Sequence, residues 1–286
     1  MSFKSYFKYF LIPLIMIFSF NVNGKEIKDK IMKVKKINCE LCDLRFRDYQ
    51  NLDTSGSNFL GSYLYRANFI HSKSINTIFN STNMVLVDFY ESDMTNSSFV
   101  KSDLTQSSFH HAIVKNVDFT FANLENSDFE LSDISRANFT AAELQGSYLH
   151  RVKAPKTIFR NAILTGSDLS YSNFENSDFE FVSMHGSKLD HSNFSGSNFS
   201  RSDMHSANLK FSNLSNSLLI GADLRNADLE GVNFSNADLT HSNFDGANLR
   251  DAILENVNAD NMSLCEAILP DGTLTPSCKK SKKTDH

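Results

Sequence analysis

The sequence predicts an all-β solenoid whose coils each have four sides. Every fifth residue between Leu44 and Leu269 is large and apolar with few exceptions, and this register runs without insertion or deletion through (269 − 44)/5 + 1 = 46 units. The residue two positions before each of these central residues is usually small, most often Ala, Ser or Val. A period of five fits neither the 3.6 of a helix nor the 2 of a strand. A chain that turns after each unit, by contrast, buries both positions in one core.

Residues twenty positions apart are alike, and this spacing sets the number of sides. Two columns of central residues are Phe59, Phe79, Phe99, Phe119, Phe139, Phe159, Phe179, Phe199 and Tyr49, Phe69, Phe89, Phe109, Phe129, Leu149, Leu169, Leu189. Four units therefore complete one coil, and coils about 4.8 Å apart give a rod of roughly 50–55 Å. The weak central positions are Thr54, Ser74, Ala154 and Ala259. The positions that are neither central nor small, such as Ser170, are predicted to face outward.

The triplet Ala-Asp-Leu recurs at 222–224, 227–229 and 237–239. It matches the motif A(D/N)LXX, and most of the chain resembles the pentapeptide-repeat family. This resemblance implies a right-handed quadrilateral β-helix, whose handedness the period alone does not supply. Serine at many small positions departs from the family's preference for alanine, but its hydroxyl can bond a neighbouring backbone group. Residues 39–269 are assigned to this β-helix.

Residues 1–24 have the layout of a secretory signal peptide. Lysines precede an apolar run from Tyr9 to Phe20, and a cleavage point is placed after Gly24. The run is shorter than the about 20 residues that span a bilayer, which favours cleavage over a retained membrane anchor. The sequence therefore predicts export, either to the periplasm or out of the cell, with no stable membrane anchor after cleavage.

Residues 25–38 are predicted to form a short amphipathic capping helix or linker, because Ile27, Ile31, Val34 and Ile37 recur at helical spacing. A β-solenoid ends in unpaired strand groups, and a covering helix is a common way to protect them. Unusual apolar residues on outward positions of the first coils either receive this helix or form a partner surface: Ile70, Ile75, Ile78, Val85, Leu86 and Tyr90.

The four cysteines lie near the two ends of the array, Cys39 and Cys42 at one end and Cys265 and Cys278 at the other. A rod of about 50 Å keeps the two pairs apart, which excludes a four-cysteine zinc site in one chain. In the oxidising compartment that export implies, the predicted disulfides are Cys39–Cys42 and Cys265–Cys278. A redox-active Cys-x-x-Cys is the alternative, but the βαβ context that it requires is missing.

The two ends also resemble those of exported pentapeptide-repeat chains, which begin with CxxCDL and end with a PDGT motif. These motifs are residues 39–44 and 270–273 here. The resemblance implies that both are caps. Residues 270–286 are assigned to the C-terminal cap and a basic tail, whose lysines are interpreted as solvated.

No motif of the sequence indicates catalysis. The serines at small positions face the core, and the chain has no glycine-rich phosphate loop, HExxH or GxSxG. We therefore predict that the protein is not an enzyme, and we assign no catalytic residue, cofactor or metal ligand. His185 and His205 are neighbours on one face, with His191 on the next side, but no third ligand is evident and solvated histidines are the favoured interpretation.

Two function classes remain. The first is an exported, non-catalytic structural or protein-binding solenoid, whose partner is an unidentified protein or a second copy. The second is a DNA mimic similar to the fluoroquinolone-resistance members of the family, which bind a type II topoisomerase. Residues 44–269 carry 16 lysines and arginines against 27 aspartates and glutamates, a balance of −11 that favours mimicry. Export disfavours it, as does the lack of the dimerising helix and projecting loops of those mimics. Nucleic acid is not an expected partner.

One outward column stands out because it is not polar. The second residue after the central residue on one side is, coil by coil, Leu131, Arg151, Tyr171, His191 and Phe211. Tyr, Arg and Phe are enriched at the centres of protein interfaces, so this column is the candidate interaction strip. The alternative interpretation is that these neighbours only shield one another from solvent.

Overall fold

A computed structural model describes residues 36–278, which form a coiled stack of parallel β-bridges. The residue before each central residue pairs with the residue twenty positions later, from Asn38 with Asn58 to Asn248 with Ile268. Each side of a coil contributes one bridging residue, so no longer strand forms. The four-sided coil of twenty residues is therefore confirmed.

The unit around Phe119 shows how the backbone is satisfied. The Asn138 N–H donates to the Val117 carbonyl at 2.9 Å, and the Phe119 N–H donates to the Asn138 carbonyl at 2.7 Å. The chain then turns, because the Ala122 N–H donates to the Phe119 carbonyl at 2.9 Å. The hydrogen bonds between coils and the turn bond together pair backbone groups that would be costly to bury alone.

Every corner places one residue in the left-handed region. The second residue after each central residue, from Leu41 to Glu266, has φ between 51° and 71°. A β-turn with φ above zero at its third residue is the type II turn, which favours Gly and Asn there. Val, Ile and Thr never occupy this position in the array. Branching at Cβ makes a positive φ especially unfavourable, which explains their absence.

Four faces surround the core, and each is named by its central residues. Face 1 runs from Leu44 to Leu264, face 2 from Tyr49 to Leu269, face 3 from Thr54 to Leu254 and face 4 from Phe59 to Ala259, in steps of twenty. The corner that follows each face takes its number. Central residues and the small residues two positions earlier are buried throughout the middle coils, as the sequence predicts.

The face whose aromatic rings pack against those of face 4 changes part-way along the stack. Phe139 on face 4 meets Phe129 on face 2 edge-on, with ring centroids 5.7 Å apart. Two coils later, Phe179 instead meets Phe174 on face 3 at 5.5 Å, because face 2 now carries leucine. An aromatic ring on one face is thus exchanged for a ring on the next face, which keeps the core filled.

The weak central positions are accommodated in different ways. Thr54 and Ser74 are buried, and their hydroxyls hydrogen-bond each other at 2.8 Å. Ala154 is fully buried at the point where face 3 changes from smaller side chains to phenylalanine. Ala259, in the last coil, is exposed.

Ser170, predicted to face outward, is covered by its neighbours and is not exposed to solvent. Its side chain is only 4% exposed. Its hydroxyl donates to Asp168 Oδ1 at 2.5 Å and lies 2.9 Å from His150 Nδ1. The side chains of neighbouring coils lie so close at the corner that a small one is covered by them.

The ends of the array were predicted less well than its middle. Residues 1–24, the predicted signal peptide, and residues 25–35 of the predicted helix lie outside the described residues. Lys36 to Asn38 are not helical, and Asn38 already pairs with Asn58, so that helix prediction is wrong for these last three residues. Between residues 36 and 278 no helix has the length and apolar character needed to cross a membrane.

A hairpin closes the C-terminal end. Ile268, the last residue of the parallel ladder, also pairs with Leu274 in antiparallel fashion. The Leu269 N–H donates to the Thr273 carbonyl at 2.8 Å, and Gly272 makes the turn with φ of 83°. The reversed chain therefore covers backbone groups at this end of the ladder.

Candidate functional site

The candidate interaction strip lies along corner 2 on five successive coils. Its members occupy the left-handed turn position, with φ between 56° and 60°: Leu131, Arg151, Tyr171, His191 and Phe211. The bridging residues just before this corner pair in parallel from Asp128 to Asn208, which fixes the spacing of the strip. The predicted alignment is present, whereas its role as an interface stays a prediction.

Aromatic rings of the strip stack on one another. Tyr171 and His191 have ring centroids 4.7 Å apart, and His191 and Phe211 are 5.3 Å apart, with planes within 23° of parallel in both pairs. His150, which precedes Arg151 at the same corner, meets Tyr171 edge-on at 5.5 Å. Three rings in a row restrict one another's rotamers, so the surface they present is ordered before any partner arrives.

These rings remain accessible although they stack. Tyr171 and Phe211 are 53% and 52% exposed, and Leu131 is 38% exposed. The strip ends at Gly231, where a Cβ would lie 2.5 Å from the Phe211 ring. The phenylalanine therefore lies over the glycine of the next coil. Mutual shielding accounts for part of each ring's burial and leaves about half of its surface to solvent.

A second group of rings continues the same corner towards the N-terminus, and the sequence analysis did not identify it. Tyr90 stacks on His110 at 5.8 Å, and His110 meets His111 edge-on at 4.6 Å. A hydrogen bond with Glu91 raises the pKa of the Tyr90 hydroxyl above its ordinary value. The signal was available in the sequence, because Ile70, Tyr90 and His110 are spaced by twenty.

The histidine pair lies on corner 1, away from the strip. His185 and His205 stack with centroids 4.8 Å apart and planes 7° apart. His191 lies on corner 2 as part of the strip, which is the next side, as the sequence predicts. Asp203 lies beside the pair, with one oxygen 2.6 Å from His205 Nδ1. The sequence analysis missed this third group, although a residue two positions before His205 points to the same side of the chain.

Family profiles match most of the array. Eight copies of the profile described as Pentapeptide repeats match within residues 142–180, 183–219, 217–256 and 233–271. The profile described as Pentapeptide repeat region matches residues 73–149. The chain belongs to the pentapeptide-repeat family.

Solved structures of pentapeptide-repeat proteins are similar to this chain. HetL, involved in heterocyst differentiation regulation in the cyanobacterium Nostoc, is 22% identical with a TM-score of 0.42, over 87% of this chain and 96% of HetL. The plasmid-mediated fluoroquinolone resistance protein QnrB1 is 17% identical with a TM-score of 0.42, over 70% of this chain and 90% of QnrB1. A protein of the Arabidopsis thaliana thylakoid lumen is 28% identical with a TM-score of 0.16, over 36% of this chain and 69% of that protein. Curated proteins give no match.

The cysteines of this pentapeptide-repeat protein are paired at the two ends of the described chain. Cys39 is bonded to Cys42, and Cys265 is bonded to Cys278. The second bond ties the end of the C-terminal hairpin to the last coil. Neither pair approaches the strip, so the cysteines belong to the ends of the fold.

Ion pairs between coils compensate part of the negative charge. Asp133 lies 3.2 Å from both Lys115 and Lys153. Burial raises the pKa of this carboxyl, but the Ser135 hydroxyl and the two lysines together lower it by more, so the net pKa is below its ordinary value. These contacts join adjacent coils on the outside of the core.

Proposed function

We propose that this protein is an exported, non-catalytic solenoid that binds protein through the strip Leu131, Arg151, Tyr171, His191 and Phe211. The observation that carries the proposal is the occupancy of one turn position by five bulky side chains in succession. Each has the left-handed conformation that favours Gly and Asn. A Leu, Tyr or Phe in this region costs of order 1–3 kcal/mol, and here such residues follow one another along a single corner.

The chemistry of the strip suits a protein partner. Tyr, Arg and Phe are the side chains that most often dominate binding energy, and here they stand in line at about 4.8 Å per coil. The strip spans four coil steps and so is about 19 Å long. A convex ridge of this length fits a groove on a partner protein or on a second copy. Because the rings are already stacked, little rotamer entropy remains to be lost on binding.

A paired set of double variants tests this surface. Tyr171→Asn with Phe211→Asn removes both large rings while placing a residue that tolerates the left-handed conformation. The matched control is Phe121→Asn with Phe181→Asn, which removes two exposed rings from the same turn position on corner 4, diagonally opposite. We expect the strip variant to lose self-association in sedimentation velocity, or capture of partner proteins in pull-down assays, with an unchanged melting midpoint. The control variant is expected to retain both.

Two outcomes contradict the proposal. If the strip variant and the control assemble and capture partners equally, the strip is not the interface. If the strip variant melts at a much lower temperature, its rings stabilise the coil, and mutual shielding is the better interpretation.

Export is the second part of the proposal, and two observations support it. Residues 1–24 have the pattern of a signal peptide. All four cysteines are paired, as is usual for proteins of oxidising compartments. Cell fractionation with N-terminal sequencing tests it, and we expect a mature chain that begins near Lys25 outside the cytoplasm. An intact Met1 on a cytosolic protein contradicts export.

A DNA mimic is the alternative. One observation favours it, which is the formal net charge of −11 over residues 44–269. A negatively charged rod can occupy the DNA-binding groove of a type II topoisomerase. The two proposals differ in a competition assay, in which a mimic displaces linear duplex DNA from the topoisomerase at low ionic strength. We expect no displacement. Displacement that persists in the strip variant would establish the mimic instead.

A further inference from the structure

Three potential metal ligands converge on corner 1, outside the strip. One nitrogen of His185, one nitrogen of His205 and one carboxylate oxygen of Asp203 all lie within 4.8 Å of one another. The two imidazoles come from adjacent coils. Asp203 comes from the same coil as His205 and is separated from it by Met204, whose side chain points into the core. The repeat itself therefore holds the three side chains on one surface.

The separation of these atoms is close to that of a metal site. Donor atoms around a tetrahedral Zn²⁺ with bonds of about 2.0–2.2 Å lie about 3.3–3.6 Å apart. His205 Nδ1 and Asp203 Oδ1 are 2.6 Å apart and would move apart by about 0.7–1 Å to bind the same ion. The other distances between the ligand atoms, which are at most 4.8 Å, would shorten by about 1–1.5 Å at most. Rotation of the side chains is enough for this change. His205 and Asp203 are 39% and 41% exposed and have room to rotate.

Access to the histidines is open on the side of the turn. The residues that follow Thr165 and His185 at this corner are Gly166 and Gly186, and a Cβ built on either meets nothing within 4 Å. No side chain therefore stands over the His185 ring from these positions. Thr165 Oγ1 lies 3.4 Å from His185 Nδ1 and adds a polar atom at the edge of the site. Water has room to complete the coordination of a bound ion.

The charge of the surroundings permits a cation. Arg225 occupies the same corner position one coil beyond His205, but its guanidinium forms two hydrogen bonds with Asp223, from Nε at 2.8 Å and from Nη2 at 2.5 Å. Asp203 and Asp245 also act on Arg225 electrostatically. Three carboxylates thus surround one guanidinium, and the local charge is negative.

We propose that His185, Asp203 and His205 form a binding site for a divalent transition-metal ion, with Zn²⁺ as the probe that the donors fit. Two imidazoles and one carboxylate with an open position suit Zn²⁺, Ni²⁺ or Cu²⁺, whereas Mg²⁺ and Ca²⁺ prefer oxygen ligands. A bound ion would link two adjacent coils through side chains on corner 1. The site is independent of the strip on corner 2, so it stands whether or not the strip binds protein.

A competing cluster lies on face 2 and corner 2. His110, Asp128 and Glu130 also bring three ligand atoms within 4.8 Å of one another. This cluster has one imidazole, which is stacked on Tyr90, and two carboxylates. Its donors suit Zn²⁺ less well, and it provides an internal comparison for the experiment.

Isothermal titration of ZnCl₂ into the full chain without an affinity tag tests the proposal. We expect one site whose affinity falls by about tenfold or more in each of His185→Ala, His205→Ala and Asp203→Asn. His241→Ala, at an exposed corner of another side, and His110→Ala are expected to bind as the parent does. Zn²⁺ should raise the melting midpoint of the parent and of these two controls, but not of the site variants.

Co²⁺ provides a second readout, because a tetrahedral site gives intense visible absorption that His185→Ala should abolish. All substitutions are at outward positions, so each variant should keep the fold of the parent. Far-UV circular dichroism checks this. The proposal is overturned if His185→Ala and His205→Ala bind Zn²⁺ as tightly as the parent, or if binding is lost only in His110→Ala.

Discussion

Phe119 stacks on Phe139 with ring centroids 4.8 Å apart and planes 12° apart. On its other side Phe119 stacks on Phe99 at 5.1 Å, and across the core it meets Phe129 edge-on at 5.9 Å. Offset stacking along the axis and edge-to-face contact across it are the two favourable geometries of aromatic pairs. The ladder is therefore continuous, and Phe119 is held by four rings, those of Phe99 and Phe139 along the axis and those of Phe109 and Phe129 across the core.

Removing one ring from the ladder should be costly, and a nearby residue provides a matched control. Phe119 is fully buried, whereas Phe121, two residues later, is 58% exposed. We expect Phe119→Ala to lower the free energy of unfolding by about 3–5 kcal/mol, because burial is lost and a cavity remains. Phe121→Ala should stay within about 0.5 kcal/mol. Equal midpoints of the two variants in urea denaturation would contradict the assignment of inside and outside.

The middle of the fold follows from the sequence because the period is rigid. A single count of five, begun at Leu44, finds the central residue of each side, and a count of twenty finds its neighbour on the next coil. Ser170 shows where this reasoning ends. Whether a residue beside the central one is covered depends on the side chains of the adjacent coils, here His150, and not on its own position in the repeat.

Ser170 provides the second prediction. Its hydroxyl donates to Asp168 and contacts His150 Nδ1, and it is almost wholly buried. Ser170→Ala should therefore cost about 0.5–1.5 kcal/mol, as expected for a lost hydrogen bond, rather than nothing. The control is Ser81→Ala, an exposed corner serine, for which no measurable change is expected. A Ser170 variant as stable as the Ser81 variant in thermal and urea melts would show that the hydroxyl does not matter.

For a related reason, the sequence predicted the strip but not the complete metal cluster. The strip from Leu131 to Phe211 is a single column, and a count of twenty is enough to find it. The metal cluster joins two columns, because Asp203 bridges coils on face 1 while the histidines lie at the following corner. A contact between columns depends on side-chain rotamers, which the repeat does not specify.

Acid should weaken the contact between Asp133 and its lysines. The folded-state pKa of Asp133 is lowered, so the carboxylate stabilises the fold above its unfolded pKa of about 3.9. This contribution is lost as the pH falls through the still lower folded value. Asp133→Asn should therefore lower the free energy of unfolding by about 0.5–1 kcal/mol at pH 7. The difference from the parent should shrink below about pH 4.

The cause of this pH dependence can be tested separately. Replacing both Lys115 and Lys153 by Gln removes the two cations that face Asp133. The pKa of Asp133, followed by NMR, should then rise towards its ordinary value, while the hydroxyl of Ser135 still lowers it in part. An unchanged pKa would mean that the lysines lie too far from the carboxylate in solution to matter.

The last prediction concerns the C-terminal hairpin, which one disulfide closes. The Cys265–Cys278 bond spans 13 residues and ties the returning chain to the last coil. Inside this loop the Thr275 N–H donates to the Ala267 carbonyl at 2.9 Å and the Leu269 N–H donates to the Thr273 carbonyl at 2.8 Å. A disulfide that closes a loop of this length stabilises the closed structure by about 3 kcal/mol.

Cys265→Ala with Cys278→Ala should therefore raise the hydrogen-exchange rates of the Leu269 and Thr275 amides by about a hundredfold. Amides of the middle coils, such as that of Phe119, should be unaffected, because local opening at one end does not unfold the stack. The matched control is Cys39→Ala with Cys42→Ala, which removes the disulfide of the opposite end and should leave these rates unchanged. If the C-terminal variant exchanges as slowly as the parent, the hairpin is held by its hydrogen bonds alone, and the disulfide contributes nothing to this end of the solenoid.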